Sequence, residues 1–77
     1  MVVMKERIIR LSETGEVKEF VQAAEQCDFD IDVVYQHIFI DAKSFLGVMG
    51  LIMKDMRVSY SGEDQGFEQV VQKYAVA

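Results

Sequence analysis

Asp41-Ala42-Lys43-Ser44-Phe45-Leu46-Gly47-Val48-Met49-Gly50-Leu51 joins a charged, hydroxyl-bearing turn to a run apolar enough for a protein core. Ser44 stands where a helix N-cap belongs, its oxygen placed to accept from backbone N–H groups of the next turn. Behind it, Phe45, Val48, Met49 and Ile52 recur at helical spacing, while Leu46 and Gly50 fall on another face. Gly47 and Gly50 each cost a helix about 1 kcal/mol relative to alanine. The pattern predicts a short, capped, nearly apolar helix whose glycines allow close backbone packing.

Working outward, Ile31-Asp32-Val33-Val34-Tyr35 and Ile38-Phe39-Ile40-Asp41-Ala42 alternate as two strands joined through Gln36-His37. A two-residue loop sets Tyr35 against Ile38, Val33 against Ile40 and Ile31 against Ala42 on one wholly apolar side. The other side pairs Val34 with Phe39 and Asp32 with Asp41, a like-charge pair that predicts a solvated face. Beyond the central helix, Lys54-Asp55 turns the chain into Met56-Arg57-Val58-Ser59-Tyr60, a strand by alternation. Ser61-Gly62-Glu63-Asp64 opens a last helix, with Ser61 as the expected cap and Phe67, Val70, Val71 and Tyr74 as its core stripe.

Upstream, Val2 to Leu11 reads as a strand rich in Val and Ile, interrupted by Lys5-Glu6-Arg7. Turn residues Ser12 to Glu16 follow, with Thr14 as the expected N-cap. Val17, Phe20, Val21 and Ala24 then form the apolar stripe of an amphipathic helix from Glu16 to Cys27. The order is strand, helix, strand, strand, short helix, strand, helix. Helices on one face of one antiparallel sheet predict an α+β fold, an open-faced β-sandwich of four strands and three helices, βαββαβα.

Seventy-seven residues make one domain, 1–77, with a small core. A net charge of −5 speaks against non-specific nucleic-acid binding and favours a basic protein surface as partner. Cys27 is the single cysteine, so neither an internal disulfide nor a cysteine-cluster metal site is expected. The apolar runs are too short for a membrane span, and the N-terminal charges follow the apolar residues, the reverse of a secretory signal. Cytoplasmic residence is the expectation.

Ala-Lys-Ser-Phe-Leu-Gly-Val-Met-Gly-Leu, residues 42–51, resembles the regulatory-serine helix of the HPr family, the histidine-containing phosphocarriers of the sugar phosphotransferase system (PTS). Phe20-Val21-Gln22-Ala23-Ala24 resembles the family's first helix, and the element order is the family's own. The resemblance covers nearly the whole chain. It implies the HPr-like fold, and it also exposes a gap. The family's phosphohistidine motif, Gly-(Leu/Ile)-His-(Ala/Thr)-Arg-Pro, leads into the first helix. Counting back from Phe20 puts Glu13 at the approximate position of the histidine, Gly15 at the arginine and Glu16 at the proline. The chain has no proline, and its one histidine, His37, lies at the hairpin tip. A phosphoryl carrier needs an imidazole nucleophile and a nearby cation, so no histidine phosphocarrier activity is expected.

The resemblance is to the Crh-like members of the family, which lack the histidine and keep the serine. It implies a regulatory protein acting in carbon catabolite repression through protein–protein binding controlled by phosphorylation of Ser44. Lys43, Phe45, Leu46 and Met49 would form the partner-binding surface. The implied partners are an HPr kinase/phosphorylase and a LacI-type regulator, without direct nucleic-acid or membrane contact. Gly50 departs from the usual serine, and the missing arginine alters the first loop. The alternative is a structural or oligomerisation module, a homodimer for instance, that keeps the fold without phosphorylation. Glu13 and Glu16 lack a second active-site component, so neither catalytic residues nor a cofactor or metal are expected. As acids at a helix N-terminus they are favourably placed in any case.

Overall fold

The computed structural model describes residues 4–76. Val2 and Val3, expected to begin the first strand, lie outside them. The elements are β1 (Lys5–Arg10), α1 (Thr14–Glu25), β2 (Ile31–Tyr35), β3 (Ile38–Asp41), α2 (Phe45–Met49), β4 (Asp55–Tyr60) and α3 (Gln65–Tyr74). The strands form one antiparallel sheet in the order β1-β4-β2-β3, with the three helices on one face: the expected open-faced sandwich.

The sheet takes its register from alternation. Ile9 on β1, Ile31 and Val33 on β2, and Met56, Val58 and Tyr60 on β4 point to the helices and are buried. Against them α1 sets Val17, Phe20, Val21 and Ala24, and α3 sets Phe67 and Val71, with Val70 and Tyr74 partly buried at the margin. Phe67 meets Tyr60 edge-on at 5.1 Å between ring centroids and Phe20 at 5.7 Å, which locks the two long helices over the centre of the sheet.

The hairpin pairs Asp32 with Asp41, Val33 with Ile40, Val34 with Phe39 and Tyr35 with Ile38, as its spacing predicts. Gln36 takes φ 55°, the left-handed conformation that a two-residue turn requires of one of its residues. Two details differ from the expected faces. Ile38, on the helix side, is 47% exposed, because the five-residue α2 covers β3 only at Ile40. Val34, on the open side, is buried, since its row places it between Arg57 of β4 and Phe39 of β3.

The helix caps also depart from the expectation. Thr14 is already helical and Glu13 occupies the N-cap position of α1, without a side-chain cap bond. The stabilising contact runs the other way, from the Ser12 N–H to Glu16 Oε1 at 2.7 Å. In α3 the cap is Asp64, whose Oδ1 accepts from the Phe67 N–H at 2.9 Å, and Ser61 remains in the loop. Asp64 wins because it directly precedes the first helical turn, where its carboxylate also meets the positive end of the helix.

Candidate functional site: the Ser44 turn and helix α2

Beyond β3 the chain turns around Asp41. The Asp41 carboxylate accepts from the Lys43 N–H at 2.9 Å and its carbonyl from the Ser44 N–H at 2.9 Å. This aspartate turn delivers Ser44 in an extended conformation, φ −96° and ψ 104°, at the N-cap of α2. Ser44 Oγ accepts from the Gly47 N–H at 3.3 Å, and its carbonyl accepts from Val48 at 3.0 Å. The hydroxyl is therefore the cap of α2, on an exposed residue.

Gly47 lets α2 lie this close to the sheet. A Cβ there would stand 2.6 Å from Ile40 Cγ2 and 3.2 Å from Ser44 Oγ, well inside ordinary contact. Gly50 has no such role. It ends the helix with ordinary right-handed angles, and a Cβ would meet only backbone carbonyls of its own turn, the nearer at 3.3 Å. Close packing thus accounts for one glycine and not the other.

The residues expected to bind a partner do different things. Leu46 is 83% exposed and Phe45 37%, and Met53, just past the helix, adds a third exposed apolar side chain. Met49 is partly buried and packs on the core. Lys43 does not stand over the serine. Its ammonium donates to the Cys27 carbonyl at 3.0 Å, tying the turn to the end of α1. No spacing rule links residues 27 and 43, so this contact was invisible in the sequence.

At the start of α1 the residues are Ser12, Glu13, Thr14, Gly15 and Glu16. Neither an imidazole nor a basic side chain occurs in this segment, and Glu13 is exposed. His37 is exposed at the β2–β3 turn. Cys27 is buried, its thiol donating to the Ala23 carbonyl at 3.5 Å, and burial pushes its pKa up, which suppresses the reactive thiolate. No cluster of metal-binding side chains and no concave pocket occurs among the described residues. None of their helices is long and apolar enough to cross a membrane.

Two polar couplings that sequence reasoning missed lie away from this turn. Tyr60, buried, donates to Glu68 Oε2 at 2.6 Å, and Lys5 reaches the same oxygen at 3.5 Å. Burial and then the Glu68 bond raise the Tyr60 phenol well above its ordinary pKa. The Tyr74 hydroxyl donates to Glu19, which also pairs with Lys73 at 3.2 Å; the Tyr74 bond chiefly lowers the Glu19 pKa. Each fastens α3 to its neighbours: to the β1–β4 edge in one case, to α1 in the other.

No protein-family model and no curated protein matches the chain by sequence. In structure it is similar to the crystal structure of the phosphocarrier protein HPr from Bacillus anthracis, with a TM-score of 0.71 and 21% sequence identity. The match covers 94% of this chain and 98% of that one. The chain has an HPr-like fold over that span, and at this identity the likeness is one of fold.

Proposed function

We propose that the protein is a regulatory binding module of HPr-like fold, without histidine phosphocarrier activity, whose partner binding is controlled by phosphorylation of Ser44. The observation that carries this reading is the pairing of an exposed serine hydroxyl with exposed Phe45 and Leu46 on the same short helix. A phosphoryl group there would add about −1.5 to −2 charges beside an apolar docking surface. It would also meet the Asp41 carboxylate, which repels it, and would compete with the Cys27 carbonyl for Lys43. A charge mark of that kind alters recognition more than stability, because these groups lie at the surface, where screening keeps each interaction small.

The implied partners are an HPr kinase/phosphorylase and a LacI-type regulator, reached through the family resemblance of residues 42–51. The test exposes the purified protein and its Ser44→Ala variant to an HPr kinase/phosphorylase with ATP. A phosphate-mass increase confined to the wild type is expected, with circular dichroism unchanged. Equal labelling of both proteins, or of neither, overturns the reading. The missing histidine adds a second expected result: phosphoenolpyruvate and the general PTS enzyme leave no acid-labile phosphate on the chain. Stoichiometric labelling of His37 or Glu13 would refute it.

A further inference from the structure

The two edges of the sheet are not alike. On β1, the chain's own C-terminal segment covers part of the edge: Ala75 bridges to Ile9, and the Val76 N–H donates to the Ile8 carbonyl at 2.9 Å. On β3, no strand lies outside the edge among the described residues. An open edge is commonly blunted by lysine, proline or a bulge. Residues 38–41 contain neither lysine nor proline, and their register with β2 runs without interruption. Instead, Ile38 and Phe39 are both exposed, Phe39 to 73%.

The direction of the free backbone groups follows from alternation. The Ala42 N–H donates to the Ile31 carbonyl of β2, so Ile40 and Ile38 also turn their backbone groups inward, and Phe39 turns its N–H and C=O out. We infer that two copies of the chain pair antiparallel along β3 about a two-fold axis at Phe39. Phe39 then exchanges two hydrogen bonds with Phe39 of the other copy, Ile38 lies beside Ile40 of that copy, and Asp41 faces its His37.

That register is chosen by parity and by polar complementarity. A shift of one residue would continue the helix side of one sheet as the open side of the other. With Phe39 on the axis, both sets of helices stay on one side of an eight-stranded sheet. The two Phe39 rings become cross-strand neighbours on the open face. Asp41 lies opposite Asp32 across β2 and pairs with no basic side chain among the described residues, so an imidazole opposite it is complementary. The pairing is isologous and consumes both β3 edges. The β1 edges left at the two ends carry their own C-terminal segments, so the assembly closes as a dimer. A four-residue strand gives an interface at the small end, under about 1,200 Å², and hence a weak dimer that forms at high concentration. This inference is independent of Ser44 phosphorylation.

Sedimentation velocity from micromolar to millimolar protein tests it. The average mass of the wild type is expected to rise from that of one 8.8 kDa chain toward twice that value. Phe39→Lys, an exposed substitution that sets like charges on the axis, is expected to stay at one chain with an unchanged circular dichroism spectrum. The register is tested by Phe39→Cys under mild oxidation. Hydrogen-bonded antiparallel partners have Cα atoms about 5.5 Å apart, within disulfide reach, so a covalent dimer is expected. His37→Cys, which faces Asp41 and not itself, and the wild type, whose thiol is buried, are expected to remain uncoupled. A single-chain mass at every concentration, a dimer that survives Phe39→Lys, or His37→Cys coupling as readily as Phe39→Cys overturns the inference.

Discussion

Replacing Gly47 by alanine sets two opposing terms against each other at the point where α2 touches the sheet. Helix propensity favours the change by about 1 kcal/mol. Against it, the new methyl would stand 2.6 Å from Ile40 Cγ2, roughly 1 Å inside the separation at which carbon atoms attract, and would crowd the Ser44 Oγ cap at 3.2 Å. Ile40 is β-branched and partly packed on the core, so its Cγ2 cannot swing aside freely. Overpacking of this kind costs about 1–3 kcal/mol, and weakening the cap adds about 1 kcal/mol. The sum is a net loss of about 1–3 kcal/mol, or roughly 4–8 °C in Tm per kcal/mol for a domain of this size. Urea and thermal unfolding of Gly47→Ala, Ile40→Ala and the double variant measure it. Removing Cγ2 should make the alanine tolerable, so the double variant is expected to be more stable than the two single losses add up to. Gly50→Ala, free of the sheet, is expected to be neutral or stabilising by up to about 1 kcal/mol. A Gly47→Ala variant as stable as the wild type, or strict additivity with Ile40→Ala, refutes the close-approach account.

Leu46→Ala is expected to cost under about 0.5 kcal/mol by denaturant unfolding, because an exposed side chain forfeits little burial, whereas Leu51→Ala, nearly buried, is expected to cost about 2–5 kcal/mol. Tyr60 ionises in the unfolded chain near pH 10 but resists ionisation in the fold. Its contribution is therefore fully present below about pH 10 and is lost as pH rises above it, and Tyr60→Phe should flatten that alkaline decline in urea midpoints. Glu19 has the opposite sign: with its folded pKa lowered, its contribution is present above the ordinary carboxylate range and is lost as pH falls through the folded value. Tyr74→Phe removes the main cause, so its acid limb in thermal melts is expected to be shallower.

Periodicity made most of the fold legible. The stripe Val17, Phe20, Val21 and Ala24 is apolar every third or fourth residue, and all four are buried. The hairpin register followed from a two-residue loop and one apolar side, which together leave a single solution. What escaped was tertiary or local in a finer sense. Capping turns on which polar residue directly precedes the first turn, and Ser61 and Asp64 carry similar signals in sequence. The exposure of Ile38 depends on how far α2 reaches, which residue types do not state. Of the serine turn, the cap and the outward Leu46 were readable from spacing. The diversion of Lys43 to Cys27 was not, because it depends on where the end of α1 comes to rest.

That diversion makes residues 27–43 a closed loop. The bond from Lys43 Nζ to the Cys27 carbonyl joins its two ends, and the whole β2–β3 hairpin lies between them. It works as a latch. For the Ser44 turn to lift away from the end of α1, the Lys43 ammonium must first let go of the Cys27 carbonyl. Lys43→Met would remove the donor and leave the latch undone. The opening of the turn should then show as faster hydrogen exchange at the Ser44 and Gly47 amides, while the amides at the centre of the sheet keep their protection.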